Sequence, residues 1–242
     1  MTEHIASRLR HRDGRSRLER GTRSRTMQGG RTVVALVAAI LAALAIARPA
    51  SARQEDDGFV TLFDGAGLDG WVVENTEAGN IAVRDSVIVV AEPGGWLRSA
   101  EQYANFRLAL EFRLATDGAD SGLFLRAATT GGFGRGWPNR SYQIQLRDMH
   151  QPSRVLPLGE IYRHGMPQGD VEYNAAVVDA RYRGAGEWHE LEVEVVGDVL
   201  TVWLGGEVIT RAQGIANPVG YIGFQAESGS VEYRNVRIRR LE

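Results

Sequence analysis

The 242-residue sequence contains no cysteine and no lysine. Without cysteine there are no disulfides, no thiol catalysis, no zinc–thiolate site and no lipidated N-terminal cysteine. Without lysine there is no Schiff-base chemistry and no lysine nucleophile, so every basic residue is an arginine. Proline is scarce, at 7 residues against 29 glycines, and no G-X-Y period runs through the chain, which excludes a collagen-like fibre. Long hydrophobic runs are missing too. The apolar stretch 33–47 has 15 residues, short of the roughly 20 that a spanning helix needs.

Residues 1–52 hold 10 arginines and 3 acids, for a net charge of +7, whereas residues 53–242 hold 18 arginines and 27 acids, for a net of −9. The larger part is acidic, which argues against nucleic acid as a partner. The stretch 31–52 reads as a basic flank, a short apolar run and the small-residue pattern Ala50-Ser51-Ala52, a secretory signal peptide. Met27 would start a signal of ordinary size, with 1–26 as a misassigned start or a disordered extension. The expectation is a basic leader and signal over 1–52, a polar linker over 53–57 and one domain over 58–242. The protein is then exported, periplasmic or secreted. Contact with a membrane comes only through the signal, as an N-terminal anchor if it stays uncleaved.

Beyond residue 58 alternation dominates. Phe106, Leu108, Leu110, Phe112 and Leu114 alternate with Arg107, Ala109, Glu111 and Arg113, the period of a half-buried strand. Leu191, Val193 and Val195 repeat the pattern, as do Leu200, Val202 and Leu204, with Gly197-Asp198 between them as a hairpin turn. Shorter strands are predicted over 59–63, 81–84, 87–91, 121–126, 142–146, 208–211, 221–226 and 231–241. The last run changes phase, which predicts a β-bulge near Asn235. No stretch carries a 3.6-residue apolar period. Together these features predict an all-β fold, an antiparallel two-sheet sandwich or jelly roll.

The strand faces opposite the core carry the candidate chemistry. Alternation puts Gln143 and Gln145 on one such face, Phe124 and Arg126 on another, and Tyr221, Gln225 and Glu227 on a third. Near Ile161 the outward set is Glu160, Tyr162 and His164. Amides, an arginine and aromatics suit a sugar, whose hydroxyls need donors and acceptors and whose C–H faces need flat apolar surfaces. The glycine-rich loop 131–137 adds Phe133 and Trp137 and could close over a ligand. A solvated polar face is the plain alternative.

These segments resemble the 3-keto-disaccharide hydrolase family. The resemblance is carried by Gly58-Phe59-Val60-Thr61-Leu62-Phe63-Asp64-Gly65 with Leu68-Asp69-Gly70-Trp71, by Asp120-Ser121-Gly122-Leu123-Phe124-Leu125-Arg126, and by Gln143-Ile144-Gln145-Leu146-Arg147-Asp148. Gly159-Glu160-Ile161-Tyr162, Phe224-Gln225 and Tyr233-Arg234-Asn235-Val236 complete it. It implies a concanavalin-like jelly roll, export, and cleavage of glycosides oxidised at C3 of the sugar. Gln143 stands where many relatives have Glu, Glu227 where many have His, and Asp120 and Gly205 where Asn is usual.

A double-displacement glycosidase needs a carboxylate nucleophile, which Gln143 cannot be. A 3-keto sugar offers another route, because the ketone acidifies the C2 proton: a base removes it, the C1 substituent leaves and water adds back. The acid and base candidates are Asp148, Glu227 and His164. Substrate-binding candidates are Arg126, Phe124, Gln143, Gln145, Tyr162, Gln225 and Trp137, with Arg126, Gln143 and Gln145 steadying the enolate. Strict alternation puts Asp148 on the core side, so its role requires a bulge at 146–147. No cofactor is required by the sequence. A divalent metal on Asp148, His164 or Glu227 is conceivable, although no ligand spacing marks one. The rival reading is a non-catalytic carbohydrate-binding module.

Overall fold

The computed structural model describes residues 58–77, 79–91, 93–129, 132–133, 135–149, 156–167 and 169–242, with only the backbone of 132 and 133. The stretches expected as leader, signal and linker, 1–57, lie outside these residues, as do Gly131 and Gly134 of the glycine-rich loop. Among the described residues no helix is long and apolar enough to cross a membrane.

The chain opens with β1 (Val60–Thr61), β2 (Trp71–Glu74), β3 (Ile81–Arg84), β4 (Val87–Val90), β5 (Trp96–Tyr103) and β6 (Phe106–Leu114). Then come β7 (Asp120–Ala127), β8 (Gly132–Phe133), β9 (Trp137–Pro138), β10 (Ser141–Arg147), β11 (Ile161–His164) and β12 (Val171–Tyr173). After helix α1 (Ala175–Arg181) follow β13 (Trp188–Val196), β14 (Val199–Leu204), β15 (Glu207–Ala212), β16 (Gly220–Gln225) and β17 (Val231–Arg240).

Two antiparallel sheets pack face to face. One runs β12-β15-β14-β13-β6-β17-β4-β3, with β1 on β17, and the other runs β11-β10-β7-β16-β5-β2. The expected sandwich is thus present, and its core follows from the alternation. Phe106, Leu108, Leu110, Phe112 and Leu114 of β6 are buried against the inward residues of the six-stranded sheet, among them Leu123, Leu125, Tyr142, Ile144, Leu146 and Phe224. Each such side chain contributes about 1.5–3 kcal/mol by leaving water. The outer face of the larger sheet is polar, with cross-strand pairs such as Arg113–Glu232 and Arg234–Glu111.

Two predicted irregularities are present. Only Gly197 and Asp198 separate β13 from β14. The register of β17 on β6 shifts between Arg234 and Arg237, where Asn235 takes φ 53°. Six elements lacked a sequence signal, β2, β5, α1 and the two- to three-residue β8, β9 and β12. β2 has only four residues, and β5 buries its residues without strict alternation, because its register on β16 shifts between Tyr221 and Gly223. Helix α1 has seven residues and buries only Val178, too few for a period to show, and Asn174 caps it by accepting from the Val177 N–H.

Candidate functional site

The polar outer face of the six-stranded sheet carries a pocket of about 300 Å³, lined by Asp120, Trp137, Gln143, Gln145, Arg147, Leu156, Tyr162, His164, Gln225 and Glu227. That size is at the lower end of ordinary small-molecule sites. A wider hollow of about 550 Å³ lies against the other sheet, bounded by Trp188, Arg181, Arg183 and Arg234. Two of its arginines are already paired, Arg181 with Glu207 and Arg234 with Glu111, and the Arg183 guanidinium donates to the Trp188 carbonyl.

Strand register assembles the smaller pocket. Gln143 lies opposite Tyr162 on β11 and Phe124 on β7, Gln145 opposite Gly122, and Arg147 opposite Asp120. Asp120, Gly122 and Phe124 share one face of β7, as Gln143, Gln145 and Arg147 share one face of β10. Gly122 is required there, since a Cβ at this position would overlap the Gln143 side chain. The glycine is the floor that lets the two amides lie across β7.

A line of hydrogen bonds crosses three strands. His164 Nε2 lies 2.6 Å from Gln143 Oε1, the Gln143 amide donates to Gln145 Oε1 at 2.7 Å, and the Gln145 amide donates to Asp120 Oδ1 at 2.5 Å. Arg147 closes the line on Asp120 Oδ2 at 3.0 Å. All but the partly buried Arg147 are at most 6% exposed.

Burial tunes the titratable groups. It pulls His164 down to about 4, so the ring is neutral at pH 7. It pushes the Glu227 carboxyl up to about 7, with help from the nearby negative charge of Asp120 and against the pull of Arg135, Arg147 and a hydrogen bond from Gln225. Asp120 is raised by burial, while Arg147 and Gln145 hold it down. The side-chain oxygen of Gln225, Oε1, is buried with no protein partner among the described residues. Trp137 forms one wall and is fixed by donating Nε1–H to the Ala226 carbonyl at 3.1 Å. Tyr162 is the most exposed of the aromatics and lies 4.6 Å from the His164 ring.

The structure therefore brings together Glu227, His164, Gln143, Gln145, Tyr162, Gln225 and Trp137 as expected. Three expected residues do not join them. Asp148 stays on the core side, because β10 keeps continuous register on β7 through Arg147 and the required bulge is absent. Its carboxylate accepts from the Gly118 N–H and the Tyr182 hydroxyl. Arg126 takes φ 46°, which turns it out of the alternation. It is 1% exposed, and its guanidinium donates to the carbonyls of Ala104, Gly197 and Asn217. Phe124 does face the outer side but is fully buried, edge-on to His164 at 5.4 Å and to Trp96 at 5.5 Å, so it supports the histidine from below.

Asp120 and Arg147 are pocket residues that sequence reasoning left out. The signal existed, since Asp120 shares the parity of Phe124 and Arg147 that of Gln143 and Gln145. Leu156 follows the undescribed stretch 150–155 and had no such signal. With Asp148 elsewhere, His164 and Glu227 are the two side chains named for a divalent metal that line the pocket. Among the described residues no three His, Asp or Glu side chains gather to hold a metal ion.

A family model described as a 3-keto-alpha-glucoside-1,2-lyase-like domain matches residues 58–239. No curated protein matches the chain. Among solved structures, two from Parabacteroides distasonis ATCC 8503, named as candidate glycosyl hydrolases, share 20% identity. One has a TM-score of 0.59 and covers 76% of this chain and 99% of its own. The other has a TM-score of 0.58 and covers 76% and 94%. The exoplasmic domain of VIP36, solved with Ca2+ and Man3GlcNAc, has a TM-score of 0.50 and 14% identity over 78% of this chain and 90% of its own. At these identities the structures show a shared fold.

Proposed function

The chain belongs to the 3-keto-alpha-glucoside-1,2-lyase-like family, and from that premise we propose that it cleaves glycosides oxidised at C3 of the sugar in the pocket of the six-stranded sheet. One observation carries the reading. Glu227, with its carboxyl pushed up to about 7, and His164, neutral because it is pulled down to about 4, line the same pocket. An acid and a base thus coexist at one pH, the arrangement that proton-transfer catalysis needs.

His164 removes the proton at C2 of the sugar, and the electron pair moves to the C3 oxygen as an enolate. Arg147 steadies that charge. The enolate then expels the C1 substituent, whose oxygen takes the Glu227 proton as the C1–O bond breaks. Water adding back across the C1–C2 double bond completes net hydrolysis. Trp137 and Tyr162 offer flat surfaces to the C–H faces, and Gln225 Oε1 accepts a sugar hydroxyl. Export rests on the 31–52 sequence pattern alone.

The aromatics and the three pocket glutamines favour a second reading, a carbohydrate-binding module without turnover. Incubating the protein with 3-keto-glucosides and the parent glucosides, with and without EDTA, tests both. Aglycone release from the keto substrates alone is the expected result. Sugar binding without release from any keto substrate replaces the enzyme with the module, and activity lost with EDTA brings in a metal.

A further inference from the structure

The line from Arg147 to His164 has a direction that the chemistry of its ends imposes. Arg147 can only donate, and Asp120, paired with it as a carboxylate, can only accept. With Oδ2 taken by Arg147, Oδ1 must receive an N–H, so Gln145 turns its NH2 toward Asp120 and its Oε1 toward Gln143. Gln143 must then present its NH2 to Gln145 and its Oε1 to His164. His164 is left to donate through Nε2, and Nδ1 carries the lone pair. Each step follows from donor and acceptor identity, because a reversed amide would set oxygen against oxygen.

We propose that Asp120 is a positioning residue that fixes the tautomer of His164 at a distance, through the amides of Gln143 and Gln145. The bonds Arg147–Asp120, Asp120–Gln145, Gln145–Gln143 and Gln143–His164 form one polarised relay, and its output is an imidazole with its proton on Nε2 and its lone pair on Nδ1, an atom sealed from solvent. This deepens the proposed function, in which His164 is the base, since a histidine with Nδ1 protonated would present an acid in the place of a base.

The same logic defines the consequences of substitution. In Asp120→Asn, Arg147 still demands an oxygen, so the new NH2 faces Gln145. Gln145 turns over, then Gln143, and His164 must accept at Nε2 and carry its proton on Nδ1. Adding Gln143→Glu puts an acceptor-only group beside His164 and restores Nε2–H, while Gln145 remains satisfied between the new amide on β7 and the new carboxylate on β10.

The test is the two-bond 1H–15N correlation spectrum of the full chain labelled with 15N-histidine at pH 7. Loss of one signal set in His164→Gln assigns the residue. The wild type is expected as neutral Nε2–H, D120N as Nδ1–H, and D120N/Q143E as Nε2–H again. On a 3-keto-glucoside, D120N loses about 100-fold or more in kcat, the range for disabling a proton-transfer group, and the double variant recovers it. A wild-type His164 that is cationic or protonated on Nδ1 overturns the proposal even if no variant folds, and so does a D120N tautomer identical to the wild type. The spectrum needs no substrate. The expected tautomers in a protein without turnover would sink the enzyme reading and leave the relay standing.

Discussion

At the scale of the residue, environment decides chemistry that residue type leaves open. Glu227 and Asp148 are both carboxylates, but only Glu227 lines the pocket, and its proton is held to about 7 by burial and by Asp120. The sign of the pH dependence follows. The acid must be protonated, so kcat/KM is expected to be flat below about 7 and to fall tenfold per unit above it. The base must be neutral, and burial of His164 delays the acid-side loss to about 4. Glu227→Gln should cost about 10²–10⁴ in kcat and abolish the alkaline limb. A pH–rate profile on a 3-keto-glucoside checks this, and an E227Q profile that keeps that limb would assign it to another group. Gln143 and Asp120, two departures from the pattern of the resembled family, are joined through Gln145 in one relay. They place the carboxylate at the β7 end and the amide beside His164.

At the scale of the element, the site exists because β7, β10 and β11 hold a fixed register. Gly122 is the most sensitive point of that register. A methyl group there would run into the side-chain carbons and nitrogen of Gln143. Gly122→Ala is expected to displace Gln143 from His164, to lower kcat by about 10²-fold and to cost about 1–3 kcal/mol by overpacking. Thermal melts and kinetics on the purified variant check both. Full activity would show that the amide need not lie over β7. Most of β6, β10, β13 and β17 was legible in the alternation of their own residues. β5 and α1 were not, because their burial is set by neighbouring strands and by a single inward valine rather than by a period.

At the scale of the whole molecule, Arg126 illustrates how a motif residue can serve the fold. Its guanidinium reaches Ala104 in the turn between β5 and β6, where the chain passes from one sheet to the other, Gly197 in the β13–β14 turn, and Asn217 before β16. The Asn217 amide returns a bond to the Arg126 carbonyl. One buried cation thus ties loops of both sheets. Arg126→Ala leaves three carbonyls short of a donor and is expected to cost about 3–5 kcal/mol of stability, while KM of the folded fraction stays unchanged. Denaturant titration and kinetics separate the two. A stable variant with raised KM would return Arg126 to the substrate. The sequence by itself determined the sandwich, the inside and outside of the long strands, the bulge at Asn235 and most of the pocket's polar residues, because period two reports burial strand by strand. Only the tertiary structure decided that Arg126 leaves the polar face, that no bulge returns Asp148 from the core side where alternation puts it, and that Asp120 and Arg147, already of the right parity, join the pocket. A positive φ at one residue and the unbroken register of β10 on β7 govern those placements, and both are settled by contacts between strands far apart in the chain.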